Sequence, residues 1–234
     1  MPISVGIGSS GYLAWSPKRI GATRFLWLRA DDADLSLATS KVTAWADHGD
    51  GGSYAQGTGA KQPSKVAGAN GRNGVQFSGS MLLTRTGLTV TSGDLLFVAC
   101  VNVPATGVNS YLYGTSTRVV ADTDGNAGTQ VGYYDGTWKK AGTAATGLQI
   151  LSWDLRVAGA NIYRDGTVLS GGPLTYTPFG MTDPAIGFDS ALGTKSTVME
   201  IVGVRTESMA AADVTALRQR LERYMSGEYA KSVS

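Results

Sequence analysis

Short runs of apolar residues, alternating with polar ones and cut by glycine or aspartate, make up most of the chain. RFLWLRA (24–30) sets Phe25, Trp27 and Arg29 against Leu26 and Leu28, then stops at Asp31-Asp32. VTAWAD (42–47), GVQFSG (74–79) and SMLLTR (80–85) are further short runs. DLLFVACVNV (94–103) is apolar without interruption, the pattern of a central strand covered on both faces. YLYGTS and RVVADT follow. VGYYDGTWKKAG (131–142) and ANIYRDGTVLSGG (160–172) each read as a hairpin, with type I′ turns expected at Asp135-Gly136 and Asp165-Gly166. Between them LQILSWDLRV (148–157) alternates along its length, and PAIGFDS and STVMEIVGVRT supply the last strands. About a dozen short strands at this spacing predict a sandwich or barrel.

One segment changes period. After Ser208, a candidate N-cap, Val214, Leu217, Leu221 and Tyr224 recur at helical spacing. This predicts a helix over 209–225, with Gly227 as its stop. Arg218, Arg220 and Arg223 lie where a helix dipole favours cations, and read as a solvated face. The chain therefore divides into an arm, 1–23, and one domain, 24–230. In the arm Tyr12, Leu13 and Trp15 are isolated apolar points that would need a covering surface, such as a neighbouring subunit's.

Composition narrows the function. The 32 glycines and 16% charged residues among 234 suit turns between strands. A formal charge of +2 is too small for a nucleic-acid footprint, and no run is apolar enough for a membrane helix, so neither partner is expected. Cys100 is the sole cysteine and sits in an apolar run, where it reads as an inert buried thiol. The first residues lack the basic start and apolar stretch of a signal peptide, so synthesis in a host cytoplasm is expected.

WADHGDGG (45–52) holds the only histidine, His48, between acidic residues and glycines. A metal site would need further ligands and no second histidine exists, so no metal is expected here. The stretch reads as a turn capped by Asp47 and Asp50. Calcium is the one cofactor that the aspartate-rich turns at 31–34, 47–50 and 122–124 would admit. Their spacing matches no fixed ligand set, so the expectation is no cofactor.

Taken in order, LWLRADDAD (26–34), VTAWADHGDGG (42–52), KQPSKV (61–66), NGVQFSGSMLL (73–83), DLLFVACVNV, NIYRDG (161–166), AIGFDS (185–190), MEIVGV (199–204) and the closing helix resemble the concanavalin A-like lectin/glucanase superfamily, in its laminin-G-like branch. The resemblance implies an all-β fold: a two-sheet antiparallel jelly-roll sandwich with one C-terminal α-helix. Glucanases of that superfamily carry a Glu-x-Asp-x-x-Glu pattern. Here Glu200 stands alone, with Val202 at the aspartate position and no glutamate until Glu207. No Gly-x-Ser-x-Gly elbow is present either, Gly6-Ile7-Gly8 precedes no strand-to-helix unit that would bind phosphate, and the expectation is that the chain is not an enzyme. The resemblance, with the expected lack of a leader, implies a virion structural protein. The expected role is a bacteriophage capsid decoration or head/tail surface component contacting other virion proteins or copies of itself. The alternative is a carbohydrate-binding module for host glycans. Its platform would be Tyr133, Tyr134 and Trp138, with Asp135 as hydrogen-bond acceptor.

Overall fold

The computed structural model describes residues 15–105, 110–123, 130–169, 172–187 and 196–233. The fold is all-β and sandwich-like, with one C-terminal helix. Among the described residues every strand pairing is antiparallel, and the hydrogen-bonded strands form two layers joined along one edge.

The first layer is centred on the Thr197–Arg205 strand, which pairs with Arg24–Arg29 on one side and Leu95–Val103 on the other. Leu95–Val103 in turn pairs with Gly147–Leu155 over nine residue pairs, and Asn161–Arg164 follows. The second layer runs from Trp138–Thr143 through Gln130–Tyr134, Arg118–Thr123, Ser110–Gly114, Ala185–Gly187 and Leu82–Thr84 to Ser53–Ala55 and Lys41–Ala46. Ser64–Ala67 and Asn73–Gln76 bridge the layers at the edge.

The uninterrupted apolar run at 95–103 has the reason its composition suggests. Leu95, Phe97, Ala99, Val101 and Val103 pack in the core between the layers. Leu96, Val98 and Cys100 pack on the opposite side, beneath the helix. Burial pushes the Cys100 thiol well above its ordinary range. Between the layers Tyr54 and Tyr113 share a buried hydrogen bond of 2.8 Å. The Trp153 indole N–H crosses to the Gly132 carbonyl at 2.8 Å, so these deep polar groups are satisfied.

The helix spans Ala211–Tyr229, one turn beyond the expected end. Val214 and Leu221 are buried, with Leu217 and Tyr224 partly so, as their spacing predicts. Gly227 does not stop the helix, because Met225 and Tyr229 continue the buried stripe; the chain leaves at Ala230, in a left-handed conformation. The N-cap is Ala210, not Ser208. A second correction concerns Arg218. Arg220 and Arg223 are exposed, but Arg218 is buried against the first layer. Its Nη1 donates to both Glu222 carboxylate oxygens, at 2.6 and 2.7 Å, and its guanidinium lies 3.6 Å from the Tyr163 ring centre. The Ser152 hydroxyl completes the set with a 2.7 Å bond to Glu222.

Candidate functional site

The outer face of the second layer carries an aromatic cluster. Alternation along Gln130–Tyr134 sends Tyr133 inward and Tyr134 outward. The register then places Tyr134 opposite Trp138, so residues 135–137 form a three-residue turn. Only Gly136 of that turn takes a positive φ, and the expected type I′ geometry is not formed. Asp135 braces the turn. Its carboxylate accepts the Thr137 N–H at 3.3 Å and hydroxyl at 3.2 Å, and the Thr177 N–H at 2.9 Å.

Trp138 is 38% exposed, the most accessible of the large aromatic side chains described. Tyr111 lies nearly parallel to it, with centroids 6.4 Å apart, and Tyr134 tilts against it at 5.1 Å. The Arg118 guanidinium sits among the three rings, 4.6 Å from Tyr111 and 5.4 Å from each of the other two. The cation fixes the ring orientations and leaves part of the indole open to solvent.

The expected platform is therefore corrected in its membership. Tyr133 is buried in the core, donates its hydroxyl to the Thr175 carbonyl at 2.8 Å, and meets Tyr176 edge-on. Tyr111 and Arg118 take the place that the sequence reading gave to Tyr133. They stand on neighbouring strands, far from the 133–138 hairpin in sequence, so no local pattern pointed to them. Asp135 is engaged in holding the turn.

The 45–52 stretch does what its aspartates and glycines suggest, against a particular partner. Among the described residues the Arg24–Arg29 strand pairs on one side only, and the 47–52 turn docks on its other edge. The Asp47 carboxylate accepts the Trp27 N–H at 2.8 Å and the Gly49 N–H at 2.6 Å, while the His48 N–H donates to the Trp27 carbonyl at 2.8 Å. A side chain at position 49 would meet the Leu26 backbone at 2.6 Å, which is why glycine is needed for this approach. Burial raises the Asp47 carboxyl to about 6, against the two backbone N–H donors that favour its ionised form.

His48 faces a cleft of about 260 Å³, with Trp27, Arg29, Asp31 and Asp34 also on its walls. His48 Nε2 lies 2.9 Å from Asp34 Oδ1, and its ring is 5.0 Å from that of Trp27. Arg29 pairs with Asp31, which also meets Arg72 at 3.3 Å. Asp32 pairs with Lys65, and Asp50 with Arg85 at 3.0 Å. The carboxylates of the 31–34 and 47–50 turns thus face protein cations, a histidine or backbone N–H groups. Among the described residues no three histidine, cysteine or acidic side chains converge on one point.

Behind Trp27 lies Glu200. A register shift between Val198 and Glu200 marks a β-bulge in the Thr197–Arg205 strand, and it turns Glu200 to the helix side along with Met199. The carboxyl is fully buried. It accepts the Trp27 indole N–H at 2.7 Å and the Tyr229 hydroxyl at 2.9 Å, and burial raises it to about 7. Glu200 ties the strand edge to the helix; it does not open onto a substrate cleft.

Of the expected arm residues, Tyr12 and Leu13 lie outside the described residues. Trp15 packs edge-on against Tyr224 of the chain's own helix, with centroids 6.1 Å apart.

No protein-family model matches the chain, and no curated sequence matches it significantly. Solved structures do match its fold. Domain 4 of AbnA, a GH43 extracellular arabinanase from Geobacillus stearothermophilus, in complex with arabinotriose, is similar with a TM-score of 0.57 at 18% identity; the match covers 84% of this chain and 98% of that domain. Trypanosoma rangeli sialidase matches with a TM-score of 0.55 at 16% identity over 88% of this chain. The chain spans about a third of the sialidase chains it matches, since 33% of that chain is covered. At these identities the likeness is one of fold. It nevertheless corrects the expectation of a non-enzymatic chain, because the fold is one that glycosidase chains contain. The lone Glu200 rules out one glucanase arrangement around 199–207 and does not set this chain apart from glycosidases in general.

Proposed function

We propose that the chain is a carbohydrate-binding β-sandwich of the concanavalin A-like jelly-roll type, and that it takes glycans on the Trp138 cluster. One observation carries the reading. An exposed indole is held in fixed orientation by Tyr111, Tyr134 and Arg118 on the outer face of the second layer. Sugars present apolar C–H faces that stack on such a ring, and a pre-ordered ring loses little entropy on binding. The similarity to an arabinanase domain whose structure contains arabinotriose supports the same class of ligand.

The test is a titration of the full chain with arabino-oligosaccharides and a sialoside panel, followed by isothermal calorimetry. Saturable binding is expected. Trp138→Ala should weaken it by about 1–3 kcal/mol, roughly 5- to 150-fold, by analogy with stacking of bases on aromatic platforms. Undiminished affinity in Trp138→Ala, or no binding to any glycan, would refute the reading.

A further inference from the structure

We propose that the Trp27–His48 cleft is a second saccharide subsite, one that takes a single neutral sugar ring. It shares the carbohydrate-binding reading and none of the Trp138 cluster's residues. Trp27 points from the outer side of the first layer, and Trp138 from the outer side of the second, so the two sites face away from each other.

Three features carry the inference. The first is size. A cleft of about 260 Å³ is smaller than the roughly 300–1,000 Å³ of sites for drug-sized ligands, and suits a single ring. The second is chemistry. Lys18, Arg29 and His48 offer donors, Asp31 and Asp34 offer acceptors, and Trp27, only 3% exposed, adds an apolar edge. Two carboxylates stand against two permanent cations, so the walls carry no excess charge to draw an anion. A neutral polyol, each hydroxyl both donor and acceptor, satisfies such a mixed lining.

The third is rigidity. Trp27 is held by Glu200 at 2.7 Å, Arg29 by the Tyr224 hydroxyl at 3.3 Å, and His48 by Asp34 at 2.9 Å. Asp31 lies between Arg29 and Arg72. These wall residues are braced, so their part of the cleft keeps its shape without a ligand, as binding sites do.

The experiment is an NMR titration of the ¹⁵N-labelled full chain with L-arabinose, D-galactose and D-glucose. At least one sugar is expected to move the amides of residues 27–34 and 47–49 and the Trp27 indole N–H, saturably. Ala33→Phe fills the cleft from an exposed position without removing a hydrogen bond, and should abolish the shifts. Asp34→Asn should weaken binding roughly tenfold, as the loss of a charged acceptor does. Trp138→Ala should leave these shifts in place, and that outcome holds whether or not the Trp138 cluster binds oligosaccharides. The proposal is overturned if no sugar gives saturable shifts there, if they survive Ala33→Phe, or if Trp138→Ala removes them.

Discussion

The two outer faces of the sandwich handle polar and aromatic residues in opposite ways. On the helix-covered face, Glu200, Arg218 and Glu222 are buried, and each is engaged by named partners. On the other face, which no described helix covers, Arg118 lies among three rings and Trp138 is 38% exposed. Both faces come from the same two-residue alternation of strands. What separates them is the cover. Under the helix an unpaired charge would cost several kcal/mol, so these three side chains are locked into structure. Where no described helix covers the sheet, an aromatic and cationic cluster is open to a ligand.

The contrast can be broken from its structural side first. Arg218→Ala should cost about 3–5 kcal/mol in urea unfolding, because it strands Glu222 in the interior. Replacing both partners with apolar residues, as in Arg218→Met with Glu222→Leu, should restore most of that. A single variant as stable as wild type would mean that the pair is solvated.

The next effect is one of pH. The folded Glu200 carboxyl is raised from 4.5 to about 7, so between those values the folded state keeps a proton that the unfolded state has lost. Stability from this group is therefore greatest below about 4.5 and falls as pH rises to about 7, by about 3 kcal/mol. Glu200→Gln keeps an acceptor for Trp27 and a partner for Tyr229. It should flatten this part of the profile of thermal unfolding measured from pH 4 to 8. An unchanged slope would assign the titration to other groups.

The smallest effect belongs to the open face. Trp138→Ala should change stability by less than about 1.5 kcal/mol, since only its contacts with Tyr111, Tyr134 and the Arg118 guanidinium at a half-exposed site are lost. Calorimetric unfolding measures it, and a larger loss would make the cluster part of the scaffold.

Some of this was legible in the sequence. The 95–103 run declared its two covered faces, and Asp165-Gly166 its hairpin, where both residues take positive φ. Val214, Leu217, Leu221 and Tyr224 declared the helix stripe. Ser53–Ala55 and Leu35–Ala38 passed unseen, because three or four residues are too few to show a period. Alternation says that Tyr133 and Tyr134 part company, but not which enters the core. The phase is set by Thr175 and Tyr176, distant in sequence. The bulge at Glu200 is one extra residue with no compositional mark. Arg218 looked solvated because a charge on a helix is solvated by default, and only Glu222, Ser152 and Tyr163 together make its burial tolerable. The Trp138 cluster was half visible for a related reason: its hairpin members are local, while Tyr111 and Arg118 arrive by strand pairing.

The packing of Trp15, Ile20 and Val233 on the helix-covered side has a consequence for display. The first and last described segments lie on one face, and the Trp138 cluster looks out from the other. A larger body holding this domain by either segment would carry the exposed indole on its distal side, turned toward whatever it approaches. The Trp138 cluster is thus separated from both segments by the thickness of the sandwich, while the Trp27–His48 cleft lies on their own side, with Ser16 and Lys18 on its walls.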